Sequence, residues 1–274
     1  MMYYLDRLDF NIAYACNLSC KGCISLSNFD RKGVEPLDSL LLQIDTWKEL
    51  ITPKVLTLFG GEPLLHPKLH DLIQAVRIAW PKTRIRLITN GYLLKKHDPA
   101  KWFDYKPFEM QVSIHRSDHA HIINKEIKRI LDQTTEWQYR RTGDSDDHRD
   151  LIFYIDGFQL WKSRFKDFVE PYQLADGKLV PHNSDPADAH ASCGSPDTPV
   201  LYKNKLYKCP PVSNILDVQE DFVYNYEAVE NEIGLEKFVN DIGKPESVCA
   251  MCPSNANNPI DHFNKENVVV KHID

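Results

Sequence analysis

The first 155 residues alternate short apolar runs with segments of helical periodicity. We expect strands at residues 9–14, 55–59, 85–89, 110–114, 137–140 and 151–155, and helices at 37–50, 69–80 and 119–131. Such alternation favours a parallel sheet with crossover helices, either open or closed into a barrel. The fold class predicted for this part of the chain is therefore α/β.

The sequence changes character near residue 175. Prolines and short polar clusters follow, and helical periodicity returns only at 232–242. We therefore predict two domains, a barrel-like domain over residues 1–180 and a smaller, loop-rich α+β unit over residues 181–274.

Composition excludes several classes of protein. The chain has 274 residues and a net charge of -6, which argues against a nucleic-acid surface with its usual basic excess. Charged residues within the first nine positions exclude a signal peptide, and no apolar run approaches the roughly 20 residues of a membrane helix. We expect a cytoplasmic protein without a membrane partner, in which cysteines serve metals or catalysis.

Three of the seven cysteines, Cys16, Cys20 and Cys23, lie in one short loop after the first predicted strand. Soft thiolates favour iron–sulfur, zinc or copper(I) sites. Three ligands on a four-iron cluster leave one iron open, which is typical of a catalytic rather than a structural site. The alternative is a set of three buried structural cysteines.

The C-x-x-x-C-x-x-C loop, followed after the second strand by Gly60-Gly61-Glu62-Pro63, resembles the signature of the radical S-adenosylmethionine superfamily. The resemblance implies a partial (β/α)6 TIM-like barrel. It also implies a [4Fe–4S] cluster on the three cysteines, with S-adenosyl-L-methionine bound to the open iron and cleaved to a 5′-deoxyadenosyl radical. Gly22 departs from the family, which often has an aromatic residue before the last cysteine.

The same resemblance implies which residues contact the cofactor. The backbone at Gly60 and Gly61 would bind the methionyl amino group, within a motif completed by Glu62 and Pro63. Two side chains at the ends of the third and fourth strands, Asn90 and Ser113, are candidates for the ribose or carboxylate. Two simpler alternatives stay open: Asn90-Gly91 is an ordinary turn, and Glu62 braces its own loop.

The other four cysteines are Cys193, Cys209, Cys249 and Cys252. Residues 201–210 alternate like a hairpin with its turn near residues 204–205, ahead of the C-x-x-C pair. This order resembles the twitch module, a shortened relative of the SPASM domain, with Asn204 in place of the usual glycine. The resemblance implies a second, fully ligated [4Fe–4S] cluster. The rival is a four-cysteine zinc site.

With all seven cysteines assigned, no thiol remains to quench a substrate radical, which favours an oxidative, dehydrogenase-like outcome. We expect no leader-binding domain before the first strand, and therefore a small polar substrate such as a sugar, cyclitol or nucleotide derivative. The candidate catalytic residues are His115, Tyr154 and Arg164. A reductant such as flavodoxin or ferredoxin is the expected partner.

Two other functions compete with this one. The first is a radical isomerase or modifier that acts on a nucleotide, a nucleic acid or a peptide. The second is a zinc- or cluster-stabilised binding protein without turnover.

Overall fold

The computed structural model describes residues 1–141, 151–164, 168–224, 226–255, 260–261 and 264–271. The strands are β1 (Tyr3–Ala13), β2 (Leu18–Cys20), β3 (Ile51–Gly60), β4 (Arg84–Thr89), β5 (Phe108–Ile114), β6 (Gln138–Arg141), β7 (Leu151–Ile155), β8 (Phe158–Arg164), β9 (Gln173–Ala175), β10 (Lys178–Val180), β11 (Val200–Tyr202), β12 (Lys205–Tyr207) and β13 (Val268–Val270). The helices are α1 (Leu37–Trp47), α2 (Leu69–Ala79), α3 (Ala120–Leu131), α4 (Pro186–Ala191), α5 (Pro210–Val218) and α6 (Leu235–Asp241).

A nine-stranded sheet organises the molecule, with the order β12-β11-β1-β3-β4-β5-β8-β7-β6. The strands from β11 to β8 in this order are parallel, and β12, β7 and β6 are antiparallel to their neighbours. Along the chain, α1 lies between β2 and β3, α2 lies between β3 and β4, and α3 lies between β5 and β6. The α/β class with a mostly parallel sheet is confirmed, and a partial TIM-like barrel is consistent with this topology.

The last two predicted strands exist, but their expected place in a parallel array is wrong. β7 continues into β8 through Asp156-Gly157, and Gly157 has a φ of 69°. A two-residue turn joins antiparallel strands, whereas a parallel pair needs a long crossover. As a result β6, β7 and β8 form an antiparallel ribbon, and β8, which was not predicted, is the strand parallel to β5.

One face of the sheet is apolar and covered by helices. Leu8 and Phe10 of β1, Leu58 of β3 and Met110 of β5 are fully buried in the same core as Trp47 of α1. The alternate residues on these strands are largely polar, because successive strand side chains point to opposite faces. The opposite face of the sheet is therefore available for a polar site.

Residues beyond 180 contribute strands to the main body of the fold. β11 pairs with β1 in the central sheet, and β13 pairs with β2 inside the first cysteine loop. A second core cluster, which includes Val212 and Met251, lies around the later cysteines. The domain boundary at residue 180 stays a prediction. Two strands beyond this residue pair with strands that precede it.

None of the described helices has the length and apolarity that a bilayer span requires.

The predicted hairpin is present as β11 and β12, with its turn at Lys203-Asn204, one residue earlier than expected. Asn204 has a φ of 62°, as its place in a left-handed turn requires. Its side-chain oxygen also accepts a hydrogen bond of 3.1 Å from Nε1 of Trp47, which is fully buried. Asn204 thus also supplies the hydrogen-bond acceptor for the buried N–H of the Trp47 indole.

We expect Asn204→Ala to lower the free energy of unfolding by about 2–3 kcal/mol, because it strains the left-handed backbone and leaves the Trp47 N–H without an acceptor. Asn204→Gly should lose only the acceptor, and Asn204→Asp should lose neither. Urea denaturation of the three variants gives the order of stability. Equal stability of the alanine and aspartate variants would contradict this account.

Candidate functional site

The first cysteine loop leaves the C-terminal end of β1 and is held by strand pairing. Cys20 is in β2, where it pairs with Val268 of β13. Gly22 has a φ of 71°, and a Cβ at this position would lie 3.0 Å from Ile260 Cδ1. An aromatic residue would therefore be strained here, which gives a local reason for the departure of Gly22 from the family pattern.

All three thiols of this loop line a cavity of about 200 Å³ at the C-terminal ends of the parallel strands. Cys16 Sγ lies 3.4 Å from the backbone N of Leu18 and 3.6 Å from Asn90 Nδ2, both of which donate towards it. Burial raises the pKa of Cys16, Cys20 and Cys23, and Cys16 also lies near the negative charge of Glu62. Such thiols become thiolates readily only with a bound cation, as a metal cluster provides.

Gly60 and Gly61 are packed against the backbone at the start of the cysteine loop. The N–H of Gly61 donates to the Ala13 carbonyl at 2.7 Å, and the N–H of Glu62 donates to the Ala15 carbonyl at 2.9 Å. A Cβ on Gly60 would lie 2.3 Å from Ala13 O, and one on Gly61 would lie 2.1 Å from Ala15 O. Glycine is required here for contact between two chain segments, in addition to any approach to a ligand.

Glu62 braces the loop that carries it, as the simpler sequence interpretation held. Its carboxylate accepts hydrogen bonds from Leu64 N at 2.9 Å, Thr89 Oγ1 at 2.7 Å and Asn90 N at 2.8 Å. Burial raises its pKa to about 7, although these three donors act in the opposite direction. Pro63 begins the short 3-10 turn Pro63–Leu65 and is buried. The motif therefore ties the end of β3 to the end of β4.

Asn90 is more than a turn residue, because its amide reaches the cysteine loop. Nδ2 of Asn90 donates to Asn17 Oδ1 at 2.7 Å, and Asn90 Oδ1 accepts from the N–H of Tyr92 at 3.2 Å. Ser113 also lines the cavity, and its buried Oγ has no hydrogen-bond partner among the described residues. A buried hydroxyl without a partner on a cavity wall is suited to a polar ligand.

The structure separates the three candidate catalytic residues. His115 lines the cavity with the cysteines. Tyr154 is on β7, opposite Gln159 of β8, and is not among the residues that line this cavity. Arg164 ends β8, where its backbone pairs with Ile114, and its side chain lies outside the described residues.

The other four cysteines line a second, smaller cavity of about 40 Å³. Cys209 is the N-cap of α5, and Cys249 and Cys252 lie in and after the short 3-10 helix Ser247–Met251. Ser195 lines this cavity and the first one, and Pro210, next to Cys209, also lines the first. The two cysteine sets therefore belong to adjoining cavities.

Apart from Tyr154, sequence reasoning missed a row of polar residues on the face of the sheet away from the helices. Its members are register partners on adjacent strands, and we call them the polar row: Asp9, Thr57, Arg86, Glu109, Gln159 and Tyr154. Arg86 forms an ion pair of 3.0 Å with Glu109, and Arg7, two residues before Asp9, lies 3.4 Å from it. Asp9 and Arg7 line the first cavity below the cysteines. The signal was present as charged residues at alternate positions of otherwise apolar strands.

We expect Glu62→Gln to lower the free energy of unfolding by about 1–3 kcal/mol, because a side-chain NH2 group would face a buried backbone N–H in place of a carboxylate oxygen. The matched control is Glu232→Gln, since Glu232 is exposed. Chemical denaturation of both variants measures the difference. A Glu62 variant as stable as its control would show that the carboxylate does not brace the loop.

Comparison with known proteins agrees with the first cysteine loop and the glycine motif. The family profile described as Radical SAM superfamily matches residues 10–141. A GTP 3′,8-cyclase of Helicobacter pylori is 32% identical over 97 residues, which cover 34% of this chain and 29% of the relative. A GTP 3′,8-cyclase of Microcystis aeruginosa is 30% identical over 98 residues, which cover 34% of this chain and 30% of the relative. The matched segment is thus less than a third of the length of either relative.

Among solved structures, the chain is similar to BtrN in complex with AdoMet and 2-DOIA, over 91% of this chain and 85% of that one, at 16% identity and a TM-score of 0.47. At that identity and score the likeness supports no inference about a substrate. The profile match spans the cysteine loop, the glycine motif and the strands up to β6. Over residues 10–141, just under half of its length, the chain is therefore similar to the Radical SAM superfamily domain.

Proposed function

We propose that the chain is an enzyme that cleaves S-adenosyl-L-methionine reductively and removes a hydrogen atom from a small polar substrate. The observation that carries this proposal is the convergence of Cys16, Cys20 and Cys23 on one cavity, with the Gly60-Gly61-Glu62 motif and Asn90 beside them. Four-iron clusters take thiolate ligands, and three ligands leave one iron for the cofactor.

The residues that line the cavity fit a [4Fe–4S] cluster with bound S-adenosyl-L-methionine. Three thiols line the cavity wall, and Ser113 Oγ, on the same wall, is a buried polar atom without a hydrogen-bond partner among the described residues. Because the N–H groups of Gly61 and Glu62 donate to the cysteine loop, a methionyl amino group would bind carbonyl oxygens of this segment. When bound, the cluster and cofactor supply a 5′-deoxyadenosyl radical and methionine by one-electron reduction of the sulfonium.

The protein's own part is to position the cysteines and to exclude water. Asn90 and the backbone of Leu18 donate towards Cys16, and Ser25 donates to the Gly60 carbonyl at 2.7 Å. Glu62 fixes Asn90 through the backbone. These contacts place the loop and the glycine motif at the same cavity wall. A reductant such as flavodoxin or ferredoxin would supply the electron.

Cys20→Ala should abolish the formation of 5′-deoxyadenosine from S-adenosyl-L-methionine and dithionite, because two thiolates do not hold the cluster. The protein should be reconstituted anaerobically with iron and sulfide, and the product measured by chromatography. Cys193→Ala is the matched control, since Cys193 belongs to the other cavity. Cleavage by the Cys20 variant at the rate of the parent would contradict the proposal.

We further propose that Cys193, Cys209, Cys249 and Cys252 hold an auxiliary [4Fe–4S] cluster in a twitch-like module. Their common cavity supports this assignment. A tetrahedral zinc site would need sulfur atoms only about 4 Å apart, given zinc–sulfur bonds near 2.3 Å. A four-cysteine zinc site is the alternative, and analysis of bound metal distinguishes the two.

The adjoining cavities favour an oxidative outcome. Conversion of an alcohol to a ketone removes one hydrogen atom, one proton and one electron. The hydrogen atom would go to the 5′-deoxyadenosyl radical, the proton to a base such as His115, and the electron to the auxiliary cluster. Ser195 lines both cavities, and Pro210 of the first cavity directly follows Cys209 of the second, so the electron would pass between adjoining sites.

The double variant Cys249→Ala/Cys252→Ala should retain about half of the iron, since two four-iron clusters give about eight irons per chain. It should still cleave S-adenosyl-L-methionine but lose oxidation of the substrate. Iron and zinc analysis of the reconstituted parent and variant measures the metal content. One zinc per chain, with iron unchanged in the variant, would favour the zinc site.

A second candidate function is modification of a nucleotide, favoured by the 97-residue similarity to GTP 3′,8-cyclase. Candidate substrates labelled with deuterium distinguish the two functions, because the label that appears in 5′-deoxyadenosine identifies the molecule attacked. A chain that binds zinc and forms no 5′-deoxyadenosine would instead be a metal-stabilised binding protein.

A further inference from the structure

Asp9 is a buried carboxylate whose hydrogen bonding is incomplete. It is 3% exposed and lines the first cavity. Its Oδ1 has no hydrogen-bond partner among the described residues, and Nε of Arg7 lies 3.4 Å away, an ion-pair rather than a hydrogen-bond distance. A buried charge in this state lowers stability unless a ligand completes its contacts.

Glu109, the other carboxylate of the polar row, is fully paired, unlike Asp9. Glu109 is held by Arg86 through contacts of 3.0 and 3.2 Å, so both of its oxygens have a cationic neighbour. Neither Glu109 nor Arg86 is among the residues that line the cavity. Asp9 is therefore the carboxylate of the polar row that is available to a ligand.

The position of Asp9 suits a substrate site. It lies four residues before the end of β1, or about 13 Å below the start of the cysteine loop, given a rise of about 3.3 Å per residue. Gln111 and Ser113 of β5 line the cavity between Asp9 and the cysteine loop. A molecule that contacts Asp9 would thus extend towards the cysteines along neutral polar groups.

The charges along this wall argue against a phosphate group. On the wall itself Arg7 is matched by Asp9, so this pair carries no net charge. Recognition of phosphate usually needs cationic or backbone donors in excess of nearby carboxylates. Within the described part of the wall, carboxylate and amide acceptors suit hydroxyl and ammonium donors instead.

We propose that Asp9 recognises the substrate, and that this substrate is a phosphate-free polyol or amino-polyol with a hydroxyl or ammonium group that donates to Asp9 Oδ1. The inference rests on the proposed function and narrows its substrate class. Arg7 acts as a positioning residue, because its guanidinium holds the carboxylate at the cavity wall.

The test compares Asp9→Asn with Asp6→Asn, a matched variant on the same strand whose side chain is exposed. The probes are myo-inositol, glucosamine and GTP, added to reconstituted protein with S-adenosyl-L-methionine and dithionite. We expect inositol or glucosamine, but not GTP, to raise 5′-deoxyadenosine formation at least tenfold in the parent and in Asp6→Asn. Asp9→Asn should lose this stimulation.

Thermal melting without any probe separates recognition from a structural role. If Asp9 is kept for a ligand, Asp9→Asn should melt within about 5 °C of the parent, because the Arg7 side chain that loses its partner is 31% exposed and stays solvated. A fall of more than about 5 °C would assign Asp9 to the stability of the fold.

Calorimetric titration of the two polyols reports on Asp9 even if the cofactor is not cleaved. A parent that forms no 5′-deoxyadenosine but binds a polyol through Asp9 would contradict the proposed function and leave the recognition intact. Stimulation by GTP, a response to none of the three probes, or equal polyol binding by parent and Asp9→Asn would overturn the inference.

Discussion

The candidate site depends on the close contact between the end of β3 and the start of the cysteine loop. Gly61 and Glu62 donate backbone hydrogen bonds to Ala13 and Ala15, and the glycine positions leave no room for a Cβ. From there Glu62 accepts donors at the end of β4, and Asn90 reaches Cys16. Three strand ends are thus joined through hydrogen bonds that are largely buried, which fixes where the thiols lie.

Later parts of the chain complete this arrangement. β13 adds a strand to the cysteine loop, and β11 adds one to the central sheet. Arg31 donates to the Ser25 carbonyl at 2.9 Å, to Tyr202 Oη at 2.7 Å and to Asp217 at 2.7 Å, and also bonds Asn214 of α5. Since α5 begins directly after Cys209, this arginine connects the first cysteine loop to the second cysteine set.

The sheet has two faces of different chemistry. Apolar side chains on one face pack with α1, α2 and α3, and their burial supplies most of the driving force for folding. The alternate positions carry the polar row, and its two partly buried ion pairs, Arg7–Asp9 and Arg86–Glu109, stabilise the fold little after desolvation. Only Asp9 among the charged members of the polar row lines the cavity, so its charge is better explained by the chemistry of the cavity than by stability, and it is the residue to test.

The sequence by itself determined the α/β class, the first four parallel strands and their three helices, and the loop of Cys16, Cys20 and Cys23, because these depend on local periodicity and spacing. The later four cysteines were grouped by a resemblance, and the tertiary structure places them on one cavity. The sequence also contained the residue types that favour the left-handed turn at Asn204 and the turn at Asp156-Gly157. The second of these signals indicates an antiparallel hairpin. Only the tertiary structure decided that β8 lies beside β5, that β11 and β13 return to the first half, and that Asp9 faces the cavity of Cys16. These are contacts between residues far apart in the chain, and strand order and register are set by packing of the whole sheet, which no local pattern encodes.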